Sequence, residues 1–172
     1  EGEAKAEAVS RKIATILKEH KDDYMTTLEF MCVGALFGKV VDGSGKVLFE
    51  FRSTATPIEF KNKEIDIALN EIDNALVDEL GTEVPYEILC SNEFFNKVVA
   101  KAKTAGDFEN KTASYIDEDG TRILVSNGKR FVPYRASYPD ENGNTKKFLK
   151  ANEAIVIPKS EKVYEVVYGR AD

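Results

Sequence analysis

The chain has 172 residues, a net charge of −6, 42% hydrophobic residues and 31% charged ones. That length and balance predict one medium domain, with room for an appendage, built around a real core. The acidity weighs against broad nucleic-acid binding, which needs clustered Lys and Arg. No apolar run approaches the ~20 residues that span a bilayer, and no secretory leader is visible. The start at Glu1 rather than Met reads as a processed product or an excised piece.

The first element is a long helix over Ala4–Phe37. Val9, Ile13, Ile16, Leu17, Tyr24, Leu28, Met31 and Ala35 recur at steps of three and four, with Lys12, Lys18, Glu19, Lys21 and Asp22 on the other faces. No proline interrupts it, and Gly38 suits its C-terminal end. The first half carries a narrow apolar stripe and is expected on a surface. The second half is apolar nearly all round and is expected to enter the core. A hairpin follows, KVVDGSGKVLFEF, turning at Asp42-Gly43-Ser44-Gly45. Glu64–Leu69 alternates like a strand, with a helix as the competitor; Asn70 can cap a helix over Glu71–Leu80, ended by Gly81.

Tyr86–Cys90 reads as a short buried strand. Ser91 caps a helix at Asn92–Ala102, with Glu93 favourable in the first turn. The remainder is strand-rich: Thr112–Ile116, Thr121–Ser126, Arg130–Ser137, Glu153–Pro158 and Val163–Tyr168. Asp119-Gly120, Asn127-Gly128 and Pro139–Asn144 separate these strands. The class is α+β.

Cys32 and Cys90 each lie inside an apolar run, FMCVGAL and YEILCS, and are expected as buried, reduced thiols. Two cysteines cannot frame a metal site, and at this size a disulfide between them is unneeded. His20, the sole histidine, sits in the charged part of the long helix without an acid–base partner, which disfavours a histidine triad. GSGK at 43–46 lacks the earlier glycine and the following Ser/Thr of a phosphate loop, since Val40 and Val47 stand there. Asp117-Glu118-Asp119-Gly120 imitates the start of a calcium loop, but Gly128 occupies the place of the closing Glu. Asn110-Lys111-Thr112 is a formal sequon without a leader. Asp22-Asp23 and Glu71/Asp73 read as solvated helix faces, and the aromatics are not interleaved with a basic patch. No cofactor, metal or catalytic residue is expected.

Four segments in order carry a resemblance: LEFMCVGALFGKVVDGSGKVLFEF at 28–51, LCSNEFFNKVV at 89–99, FVPYRASYPDENGNTKKFLKANEAIVIPKS at 131–160 and VYEVVYGRAD at 163–172. Together they resemble the lambda-type bacteriophage major capsid protein family, capsid protein E, over nearly the whole chain. The resemblance implies the tailed-phage capsid fold: a long spine helix, plus an axial domain with a central mixed sheet and flanking helices. Residues 1–72 would then hold the spine helix, the hairpin and part of the peripheral domain, and residues 73–172 the axial domain. It also favours a strand over a helix start at Glu64–Leu69. Members of that family carry an arm and a long loop before the spine helix and further strands after Ala171-Asp172, so the chain is expected to be truncated at both ends.

The function so implied is a non-enzymatic structural subunit of a phage or prophage head, self-assembling into the virion capsid from the host cytoplasm. Its partners would be copies of itself, with scaffold, portal or decoration proteins beside them and neither specific nucleic-acid binding nor a membrane. Candidate subunit contacts are Lys12, Glu19, Lys21 and Asp23 on the helix, Asp42 and Gly43 in one turn, and Asp140 and Asn142 in another. The rival readings are a small-molecule-binding or hydrolytic α+β domain with an acidic and tyrosine-lined site, marked by convergent carboxylates of perturbed pKa, or another phage structural component.

Overall fold

The computed structural model describes residues 2–36, 38–42, 46–50, 57–139, 142–160 and 163. Two compact units are present: Glu1–Ala55 with Ala136–Phe148, and Thr56–Arg135 with Leu149–Asp172.

In the first unit the predicted long helix is a single element, α1, Gly2–Leu36. Its 35 residues rise through about 50 Å. Threonines inside it satisfy their hydroxyls on the preceding turn, Thr15 donating to the Arg11 carbonyl at 3.0 Å and Thr26 to that of Asp22 at 2.9 Å. The chain leaves α1 through Gly38, whose φ of 85° is left-handed, and whose N–H donates to the Ala35 carbonyl at 2.9 Å. It then forms the antiparallel pair β1 (Lys39–Val41) and β2 (Val47–Glu50). Asp42 closes the connection, its N–H donating to the Lys46 carbonyl and its Oδ1 accepting from the Lys46 N–H, both at 2.9 Å.

The expected entry of the second half of α1 into a core is corrected. From Thr26 to Leu36 the helix is mostly half-buried, with Thr27, Glu29 and Cys32 exposed, and none of these residues is fully buried. What it meets is aromatic. Phe30 lies 4.7 Å from the Tyr138 ring and 6.1 Å from that of Phe148, and the latter two stand 5.0 Å apart. Cys32, expected to be buried, is exposed. An apolar neighbourhood along the sequence covers a thiol only when another element packs on that face of the helix.

In the second unit the stretch Glu64–Leu69, expected as a strand, is the beginning of α2, Ile65–Leu80. Ile65, Ala68, Leu69 and Ile72 are buried, while Ile67 is exposed. The helical spacing 65, 68/69, 72 therefore outweighs the apparent alternation 65, 67, 69. Asn70 lies within the helix; Glu64 precedes it in extended conformation, and Gly81 ends it at φ 71°, donating to the Val77 carbonyl.

The strand β3 (Tyr86–Cys90) and the helix α3 (Asn92–Thr104) fall where the sequence places them, and Ser91 Oγ accepts from the Phe94 N–H at 3.3 Å. Next come β4 (Ala113–Glu118), β5 (Thr121–Ser126) and β6 (Lys129–Pro133). The two tight turns between them hold Asp119 and Gly120 at φ 48° and 75°, and Asn127 and Gly128 at 50° and 76°. Two successive positive φ values are what a hairpin of this twist demands, and Asp-Gly and Asn-Gly tolerate them. The strand expected over Arg130–Ser137 is divided: β6 ends at Pro133, and β7 (Ser137–Pro139) pairs with β8 (Thr145–Lys147) in the first unit. The last strand, β9, spans Ala154–Pro158; the predicted strand at Val163–Tyr168 lies outside the described residues, apart from Val163.

The central sheet runs β4-β5-β6-β3-β9. It is mixed, with β3 parallel to β6 and antiparallel to β9. Tyr86, Ile88 and Cys90 of β3, with Phe131 of β6 and Leu124 of β5, are buried in one cluster with Ile65, Leu69 and Ile72 of α2 and Val98 and Ala102 of α3. The α+β class expected from the sequence holds.

Candidate functional site

Among the described residues, the most exposed apolar surface belongs to the first unit. Along α1, Val9, Ile13, Ile16, Leu17, Tyr24 and Met25 are all exposed, Leu17 to 65%. At ~100° per residue, the first five share one face of the rod. Beyond the helix, successive residues of β2 (Val47, Leu48 and Phe49) are 46%, 54% and 58% exposed. Isolated exposed apolar residues are ordinary; a contiguous set on one rod is not.

The sequence-predicted contact residues fall around this surface unevenly. Lys12, Glu19, Lys21 and Asp23 are all exposed on α1. By helical geometry Lys12, Glu19 and Asp23 align down one flank of the apolar stripe, and Lys21 falls on the opposite flank. Asp42 is occupied in closing the β1–β2 connection. Asn142 is exposed near the β7–β8 turn, and Gly43 and Asp140 lie outside the described residues.

The second unit holds a charged array that sequence reasoning missed. Arg130, on β6, donates to both oxygens of Glu118 on β4, at 2.8 and 2.6 Å. Its Nε stands 3.5 Å from Glu87 of β3, which also receives Lys159 at 2.9 Å. The bidentate hydrogen bond holds the Glu118 carboxyl below its ordinary value and raises the guanidinium. These groups are far apart along the chain, so no local motif announces them; the signal lies in the strand register that sets Glu87 against Arg130. Elsewhere Lys129 bonds Asp73 at 2.8 Å and lies 4.1 Å from the Tyr86 ring centroid. Burial, and then the neighbouring Asp73 carboxylate, hold the Tyr86 phenol above its usual range.

A depression beside α2 is bordered by Asp73, Leu76, Glu83, Pro85 and Lys129, and its Asp73 is already neutralised by that lysine. Asp117 and Glu118, the calcium-loop imitation, are held by Arg122 and Arg130. Among the described residues, no group of three or more His, Cys, Asp or Glu side chains is placed to hold a metal ion, and no helix is long and apolar enough to cross a membrane.

The described residues comprise an exposed apolar helix joined to a hairpin in one unit, and a separately cored α+β unit. The family model of the phage major capsid protein E matches residues 1–172, the whole chain; no curated protein matches it. The chain belongs to the phage major capsid protein E family. It is a structural subunit of a phage head shell, and copies of itself are its neighbours there.

Proposed function

We propose that the subunit is laid out on the tailed-phage capsid fold, with α1 as the spine of a peripheral domain within residues 1–72, and the five-stranded sheet with α3 and the C-terminal half of α2 as the axial domain within residues 73–172. The apolar stripe of α1 is the observation that carries this reading. A helix that presents Val9, Ile13, Leu17 and Tyr24 to water gains a hydrophobic driving force only when something covers it. In a shell, each covering contact is modest and repeated many times, so that multivalency stabilises the closed lattice, and symmetry confines the contacts to self-complementary or ring-closing patches. Lys12, Glu19, Asp23 and Lys21 would then fix register along the two flanks of the stripe. The turns at Asp42–Gly43 and Asp140–Asn142 would be secondary contacts. Scaffold, portal and decoration proteins are the partners such a lattice would meet, and the subunit would wait in the host cytoplasm before joining it. The net charge of −6 suits a container wall, which repels packaged DNA instead of binding it.

The test is assembly of the full-length protein. Wild-type protein should give closed particles by light scattering and electron microscopy. The double variant Ile13→Asp/Leu17→Asp, altering two exposed positions, should leave the circular dichroism of the soluble subunit unchanged and abolish particles. Particles of normal yield from that variant would remove α1 from the contact surface. Failure of the wild-type protein to assemble under any condition would remove the shell layout itself.

A further inference from the structure

We propose that β2 is a self-pairing edge: in the assembled shell, Val47–Glu50 of one copy adds antiparallel to the same strand of a second copy across a two-fold axis. The proposal rests on the shell reading and names a contact within it. The β1–β2 sheet has only two strands among the described residues, a size that is marginal in water until further strands or a helix cover it. Its two sides are not equivalent. On the β1 side, the last turn of α1 comes so close that a Cβ on Gly34 would stand 2.5 Å from the Lys39 carbonyl oxygen. On the β2 side, every residue of the strand is exposed. An exposed edge bearing consecutive apolar residues, with no further strand on it among the described residues, is a template for another strand.

The sequence of that edge selects its occupant. Lys46-Val47-Leu48-Phe49-Glu50 is complementary to itself when run antiparallel about its middle residue. Lys46 of one copy meets Glu50 of the other, Val47 meets Phe49, and Leu48 meets Leu48. Opposite charges and aromatic–β-branched pairs are favourable cross-strand neighbours. A parallel or shifted pairing loses the charge match. Glu50 already lies 3.2 Å from Lys39 of its own hairpin, so Lys46 of the second copy would approach that carboxylate from the open side. The register of β1 with β2 shifts between Val40 and Val41, from Phe49 to Val47, and leaves Leu48 without an opposite residue; the two-fold pairing supplies one. A contact of four or five residues forms only transiently between free subunits, where a disulfide can still trap it, and becomes lasting when the rest of the lattice aligns it.

The experiment uses particles of the full-length protein carrying Leu48→Cys in a Cys32→Ser background; Cys90 is buried. Mild oxidation should convert most chains to a reducible dimer. Val47→Cys alone should remain monomeric, and Val47→Cys/Phe49→Cys should again give dimer. Intact particles whose Leu48→Cys chains stay monomeric, or link to a protein of another mass, overturn the pairing while leaving the shell reading in place. If the wild-type chain forms no particles, the shell reading fails separately. The pairing is then read on the concentrated soluble chain, where excess dimer from Leu48→Cys over Val47→Cys supports it and equal amounts overturn it.

Discussion

The two compact units treat apolar side chains in opposite ways. In the unit of Thr56–Arg135 and Leu149–Asp172, Phe131, Leu124 and Ile88 close a core between one sheet face and two helices. In the unit of Glu1–Ala55 and Ala136–Phe148, no described residue is fully buried, and valines, isoleucines and leucines of α1 and β2 face water. A sequence just as hydrophobic can thus be finished in itself or left for a partner to finish. For a shell subunit the second condition is useful: surface that folding leaves uncovered remains available to drive assembly.

The two cysteines give the sharpest contrast, since one lies in each unit. Cys32 is exposed and Cys90 fully buried, and burial also pushes the Cys90 thiol above its ordinary range. In the unassembled subunit a maleimide should modify Cys32 at once and Cys90 only through unfolding. For a domain stable by about 5 kcal/mol the rates should differ by a factor of about a thousand or more. Peptide mass spectrometry over time reads both sites together. Comparable rates would erase the distinction between the units.

Next in size is the effect of deleting a phenyl ring. Phe131 is 0% exposed and packs with the Phe60 ring at 6.2 Å, so Phe131→Ala should cost about 3–5 kcal/mol. Phe49→Ala, at 58% exposure, should change subunit stability by less than about 0.5 kcal/mol, although it should weaken assembly. Urea unfolding of the unassembled variants measures both. A large loss from Phe49→Ala would mean that the hairpin is already packed within the subunit.

The second unit was the more legible in sequence, for a physical reason. Tyr86–Cys90, Ser91 with α3, and the Asp-Gly and Asn-Gly hairpins are specified by neighbours a few residues apart, through side-chain period, a cap and left-handed turns. Long-range partners were not legible. The Arg130 array depends on strand register, and the stacking of Phe30 on Tyr138 and Phe148 joins residues more than a hundred positions apart. At Glu64–Leu69 three alternating apolar residues suit either period, and the family resemblance favoured the strand; Ala68 and Ile72 decide for the helix. On the first half of α1 the apolar stripe expected from the sequence is present on one face, whereas the second half does not enter a core; a pattern cannot say whether an apolar face is covered within the chain or by another molecule. Lys12, Glu19 and Asp23 share a flank because their spacings fit the helical repeat, whereas Lys21 does not.

Two backbone variants sharpen the comparison at smaller cost. Gly34→Ala would force its Cβ within 2.5 Å of the Lys39 carbonyl oxygen, a backbone atom that can give way only if β1 moves. A loss of about 1–3 kcal/mol is expected. A neutral result would show that β1 shifts without cost and that the junction of α1 and β1 is not tightly packed. In the other unit, Ser91→Ala removes the oxygen that accepts from the Phe94 N–H and should cost about 1 kcal/mol, read by thermal unfolding.

The smallest effect concerns pH, and it tests whether the charged array contributes to the second unit beyond its apolar core. The hydrogen bonds from Arg130 hold the Glu118 carboxyl below its ordinary 4.5 in the folded chain. A carboxyl depressed by folding stabilises the fold at pH values above its unfolded pKa, and that contribution disappears as pH falls through the lower, folded value. Wild type and Glu118→Gln should therefore differ slightly in urea midpoint at pH 7, with wild type the more stable, and converge as the pH falls below the unfolded carboxyl's range. The difference should be small because the Glu118 carboxyl is exposed and screened by water, and added salt should shrink it further. Midpoints that diverge on acidification, or a variant more stable than wild type at pH 7, would mean that the bidentate contact is incidental and that register at this edge of the sheet is set by the apolar face alone.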